Sequence, residues 1–101
     1  MGKFRMSLTI LRILEVLYAN PDREHYGLEI ARTANVSNGA LYPALERLTR
    51  AGYLTSALED IDEAAEGRRK RRYYQLTEDG RALAATELRD APRLPGRLAL
   101  N

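Results

Sequence analysis

A run of five bases, Arg68 to Arg72, passes without a break into Tyr73, Tyr74, Gln75, Leu76 and Thr77, and this junction constrains the fold more than any other stretch. Alone, adjacent like charges repel one another and describe a solvated tail or linker. Here the run follows Gly67, a residue suited to turning a chain. It ends in aromatics, a type favoured on half-buried pleated surfaces. It therefore reads as the returning arm of an antiparallel hairpin. Tyr53 to Leu58 supplies the outgoing strand and Arg71 to Leu76 the return, with Glu59, Asp60, Asp62, Glu63, Glu66 and Gly67 at the tip.

Helical patterns lie on both sides of the hairpin. From Ser7 to Ala19 the polar positions Thr9, Arg12 and Glu15 recur every three residues and apolar side chains fill the rest. That apolar arc exceeds the stripe of about 100° that one core requires. Either a second copy of the chain covers the surplus, through Leu11, Leu14 and Tyr18, or the other helices wrap this one. Pro21 ends the helix by disfavouring helical geometry at Asn20. A second helix runs from about Tyr26 to Ala34, and Asn35 to Asn38 make a polar turn plugged by Val36. Ser37 or Asn38 caps a third helix, in which Leu41, Leu45 and Leu48 share one side. Gly52 stops it. Pro43 sits too far inside this helix to be a first-turn proline and costs one backbone bond. Thr77 caps a fourth helix, with Glu78 and Asp79 in the first turn, where the helix dipole prefers acids. Its apolar positions include Leu83 and Leu88, and Pro92 ends it.

The order helix, turn, helix, strand, basic hairpin, helix is that of a winged helix-turn-helix, a mainly α fold with a small β-hairpin (α+β). At 101 residues there is room for one domain. We expect it over residues 1–90, with 91–101 as a tail that carries Leu94, Leu98 and Leu100 and can contribute to dimerisation. The chain lacks cysteine, so disulfides and thiolate metal sites are excluded, and the lone His25 has no acidic partners at ligand spacing. No metal or cofactor is expected. A small secreted domain without disulfides would be unusual, which favours the cytoplasm. Arg12 and Glu15 interrupt the apolar stretch after Lys3 and Arg5, which argues against a signal peptide and a membrane span.

The net charge is only +2, yet acids cluster just before the five bases. That polarity favours a defined electropositive spot over general coating of a polyanion. In helix-turn-helix proteins the N-terminal part of the second helix touches base edges in the major groove. Here those positions are Ser37, Asn38, Gly39, Ala40 and Pro43. Arg47 and Arg50 lie further along the same face, within reach of phosphate or guanine. In the wing, Arg68, Arg69 and Lys70 are nearest the tip and are the expected phosphate contacts, while Arg71 and Arg72 serve the strand. The acidic flank opposes this in part by pairing with the bases when DNA is absent.

The stretch YGLEIARTANVSNGALYPALERLTRAGYL, followed by GRRKRRYYQLTEDGRAL, resembles the PadR family of bacterial winged-helix transcriptional regulators over roughly residues 8–90. The matching positions are Tyr26, Gly27, Gly39, Leu41, Tyr42, Pro43, Leu45, Leu48 and Gly52, then Gly67, Arg68, Lys70, Tyr74, Leu76, Thr77 and Gly80. The resemblance implies a dimeric repressor that binds a palindromic operator in double-stranded DNA and is released by an effector, commonly a small molecule. It makes Ser37, Gly39, Tyr42 and Pro43 recognition-helix positions, with Tyr42 either packing or bonding phosphate, and Arg68 and Lys70 wing positions. Family members usually dimerise through a C-terminal helix, which Pro92 and Pro95 cut short here. Dimerisation is then expected on the first and fourth helices, through Leu11, Leu14, Tyr18, Leu83 and Leu88, or with help from the tail. Tryptophan is absent, so no aromatic stacking pocket is assigned.

A second reading is a winged-helix protein-interaction or plasmid-maintenance module, in which the acidic flank or the first helix engages a partner. An enzyme is the third. No carboxylate stands beside His25 or a nucleophile in a recognisable acid-base pattern, so the acids read as surface charge.

Overall fold

The computed structural model describes residues 4–90. The elements run α1 (Leu8–Ala19), β1 (His25–Tyr26), α2 (Gly27–Ala34), α3 (Asn38–Arg50), β2 (Leu54–Leu58), α4 (Glu63–Glu66), β3 (Arg72–Leu76) and α5 (Glu78–Asp90). The winged helix-turn-helix read from the sequence is present, with two additions, β1 and the one-turn helix α4.

The helix boundaries follow local chemistry. The Ser7 side chain accepts from the Ile10 N–H at 3.1 Å and starts α1, and Ser37 does the same for α3 through the Ala40 N–H at 3.2 Å. Each satisfies an amide that the first turn leaves free. Helix α2 stops at Asn35, whose φ of 58° is one that asparagine tolerates, so that the Val36 N–H reaches back to the Ala31 carbonyl. Helix α3 stops in the same manner. Gly52 takes a φ of 88° and the Tyr53 N–H bonds the Leu48 carbonyl at 2.9 Å.

Three strands form an antiparallel sheet in the order β1-β3-β2. In the hairpin, Leu54 pairs with Leu76 and Leu58 with Arg72. The unforeseen β1 adds the pairs His25 with Tyr74 and Tyr26 with Tyr73 on the other edge of β3. His25 is buried there, and its Nε2–H donates to the Asn20 carbonyl at 3.1 Å. The wing is thereby stitched to the turn between α1 and α2.

One core unites the helices and the sheet. Ile10, Ile13, Leu14 and Leu17 of α1 meet Ile30 of α2, Leu41, Leu45 and Leu48 of α3, Leu54 and Leu76 of the sheet, and Ala84 of α5. Each large aliphatic side chain buried in this way is worth roughly 1.5–3 kcal/mol. Leu14 is fully buried inside this core. The expectation that it faces a second protomer is therefore corrected, because α1 is wrapped by α2, α3 and α5 and Leu14 has no surface left to offer. Leu11, Leu83 and Leu88 are half-buried, and Leu8 and Tyr18 are 48% and 40% exposed. The proposed tail, with Leu94, Leu98 and Leu100, lies outside the described residues. No helix among the described residues is long and apolar enough to cross a membrane.

Candidate nucleic-acid interface

Burying Leu41, Leu45 and Leu48 turns the opposite side of α3 outward. That side carries Gly39, Pro43, Glu46, Arg47 and Arg50, all exposed, with Ser37 and Asn38 at its leading end and Ala40 half-buried beside them. Gly39 and Pro43 are both poor helix residues. A Cβ built on Gly39 would meet only the Ser37 Oγ, at 4.0 Å. Pro43 has no N–H, so the Gly39 carbonyl lacks its usual partner one turn on. The packing of the fold therefore requires neither residue.

Tyr42 leaves this face sideways. It is 46% exposed, and a Cβ added to the buried Gly27 would stand 2.7 Å from its hydroxyl. The Tyr42 ring packs against the start of α2. It also edges a groove of about 460 Å³ between α3 and the wing, shared with Glu46, Arg50, Arg72 and Tyr74.

The two arginines further along α3 are already engaged. Arg50 pairs with Glu46 at 2.5 Å. Arg47 donates from Nη2 to the Arg5 carbonyl at 2.9 Å, and its guanidinium lies 4.8 Å from the centre of the Phe4 ring.

The wing tip is not an open loop. Asp62 caps α4 by accepting from the Ala64 and Ala65 N–H groups, and Gly67 closes it at a φ of 71°. Glu59 organises the approach. It accepts from both terminal nitrogens of Arg68, at 2.7 and 3.1 Å, from the Arg71 N–H at 2.9 Å and from the Tyr26 hydroxyl at 3.1 Å. Arg68, expected at the tip as a phosphate contact, is thus turned inward onto Glu59. The Arg71 guanidinium lies over the Tyr26 ring at 5.5 Å, and Arg72 donates to the Ser56 hydroxyl at 3.1 Å, so both serve the strand. Arg69 and Lys70 are exposed, and among the described residues no ion pair or hydrogen bond holds their charged ends.

The Arg68 guanidinium, aided by the Arg71 amide and the Tyr26 hydroxyl, lowers the Glu59 pKa from its ordinary 4.5 to about 2. The same hydrogen bond raises the Tyr26 pKa. Because the folded value is the depressed one, the stabilisation is complete above about pH 4.5 and is lost as pH falls towards about 2. The Arg71 amide resonance of the folded protein should therefore move with a midpoint at about pH 2 and not at 4.5. A Glu59→Gln variant should show no such step. Movement centred at the ordinary carboxylate pKa would mean that the pair does not hold in solution.

Neither β1 nor the Glu59 hub was expected from sequence, although Glu59 was legible as part of the acidic flank. A two-residue strand has no periodicity to detect.

A model of the transcriptional regulator PadR-like family matches residues 13–86, from the middle of α1 to within α5. Among solved structures, a PadR family transcription regulator from Clostridium difficile R20291 is similar at 24% identity and a TM-score of 0.68, over 83% of this chain and 86% of that one. A putative DNA-binding protein from Ralstonia eutropha JMP134 is similar at 28% identity and a TM-score of 0.62, over 81% and 96%. The transcriptional regulator PA4135 matches 80% of this chain at 21% identity and a TM-score of 0.66, and the chain spans about half of its length, 54%. No curated protein matches in sequence. Since the matched stretch takes in the helix-turn-helix, both arms of the wing and most of α5, the chain belongs to the PadR-like family of DNA-binding transcriptional regulators, which are not enzymes.

Proposed function

We propose that the protein is a dimeric repressor that reads a palindromic operator and leaves it when a small-molecule effector binds. Helix α3 enters the major groove of double-stranded DNA, with Ser37, Asn38, Gly39, Ala40 and Pro43 at the bases and Tyr42 at the groove edge. The observation that carries this reading is the exposed Gly39–Pro43 face, which keeps two helix-weakening residues that its own packing does not need. Arg69 and Lys70 lie on phosphates. Arg68 joins them by exchanging Glu59 for the DNA backbone. Leu11 and Tyr18 of α1, with Leu83 and Leu88 of α5, supply the apolar surface for the second protomer, and the tail residues 91–101 add to it.

Selection from random duplexes tests the reading. A two-fold dimer should recover inverted half-sites about one or two helical turns apart. Binding to the selected duplex should weaken steeply with salt, and removing two phosphate contacts by Arg69→Ala and Lys70→Ala should lower the log-log slope by about 1.8. Recovery of single half-sites would remove the dimer, and binding with no salt dependence would remove the wing contacts.

A further inference from the structure

The segment before α1 is laid along the flank of the recognition helix. Phe4 and Met6 are half-buried against the core, whereas Arg5 and Ser7 are exposed, the alternation of an extended strand of chain. Three contacts fix its place. The Phe4 ring meets the Tyr53 ring edge-on at 5.3 Å, the Arg47 guanidinium covers Phe4, and Arg47 donates to the Arg5 carbonyl. None of them uses the Arg5 side chain.

Arg5 instead lines a cleft of about 380 Å³ with Phe4, Arg47, Arg50 and Ala51. Three arginines line this cleft and no acidic residue does. Glu46 holds Arg50 in a pair whose side chains are 66% and 78% exposed, and an exposed pair of this kind is weak. Like charges gathered around one cleft repel, and a bound anion relieves them. Arg47 and Arg50 stand four and seven positions beyond Pro43, on the helical row that continues the Gly39–Pro43 face. The cleft is therefore continuous with the surface proposed to enter the major groove, and an anion held there is in line with a duplex lying on α3.

We propose that residues 4–7 form a third DNA-contacting arm, in which Arg5, with Arg50 beside it, grips the sugar-phosphate backbone next to the groove that α3 enters. Arg47 is the positioning residue, since its Phe4 and Arg5 contacts hold the arm in place. The proposal rests on the DNA-binding reading above and adds an element outside both the helix-turn-helix and the wing. Arg guanidiniums suit phosphate geometry, and a backbone contact carries no sequence information of its own.

The test titrates the full chain against a selected operator duplex and an unrelated duplex of equal length across a range of salt. Arg5→Gln should weaken binding to both duplexes by the same several-fold factor, leave the preference between them unchanged and lower the salt slope by about 0.9. Phe4→Ala should cause a similar loss by freeing the arm, and the double variant should lose little more than either single one. Unchanged affinity and slope in Arg5→Gln would overturn the arm. A loss confined to the operator would overturn it as a backbone contact. If the unaltered chain binds neither duplex, the DNA-binding reading itself fails, an outcome separate from both.

Discussion

Replacing Gly80 by alanine is expected to destabilise the fold by about 3 kcal/mol or more. Gly80 is the third residue of α5, and its N–H donates to the Thr77 hydroxyl at 2.9 Å. A Cβ built there would stand 2.0 Å from the Tyr53 carbonyl oxygen and 3.0 Å from its carbon. Both are backbone atoms and cannot rotate away as a flexible side chain would. The Tyr53 oxygen also accepts from the Thr77 N–H at 3.1 Å, while the Thr77 hydroxyl donates to the Gly52 carbonyl at 2.7 Å. The end of α3, the start of β2 and the start of α5 are thus tied at one point, and relieving the clash means pulling α5 from it. Alanine has a better helix propensity than glycine by about 1 kcal/mol, which is too small to offset this. In urea the midpoint should fall with the slope unchanged. An unchanged midpoint would show that α5 slides freely over Tyr53.

Gly80 also marks where sequence reading stops. It was visible as part of a family pattern, but the reason for it is a carbonyl 27 positions away in the chain, Tyr53. Elements set by local chemistry were legible. The pattern beginning at Ser7 marked the start of α1, Ser37 or Asn38 that of α3 and Gly52 its end, and the hairpin followed from Gly67 and the aromatic run. What escaped detection was made by distant partners. Strand β1 exists because β3 offers it an edge, and two residues cannot declare a strand by themselves. Helix α4 did leave a signal, since Asp62 precedes EAAE and Gly67 follows it. The density of acids made that stretch read as a solvated tip instead. Arg68 was hidden in the same way, because one member of a run of like charges carries no mark of the single carboxylate that turns it inward. The α3 face was legible because it depends on the period of one helix, whereas the attachment of Arg47 to Phe4 and Arg5 depends on tertiary packing.

Pro43→Ala should have the opposite signature to Gly80→Ala, a more stable protein that binds its operator less well. Pro43 is the sixth residue of α3 and is exposed. Alanine would restore the N–H that bonds the Gly39 carbonyl and relieve a helix-interior proline, a change worth as much as about 3 kcal/mol. In the proposed complex the same change is harmful. The Gly39 carbonyl, left without its partner one turn on, can accept from a cytosine or adenine amino group in the major groove, and the proline ring offers an apolar surface to a thymine methyl. Losing such a contact costs about 1–3 kcal/mol of discrimination, or roughly tenfold and upwards in preference for the operator over unrelated DNA. Gly39→Ala extends the test at lower amplitude. It should stabilise the helix by about 0.5–1 kcal/mol, since only the Ser37 Oγ comes near, at 4.0 Å, and it should weaken binding by thickening the face that approaches the bases. Unfolding and duplex titrations on the same preparations separate the two effects. If both variants gain stability and keep full operator preference, Pro43 is a tolerated kink and the reading face of α3 must be sought further along the helix, from Glu46 onwards.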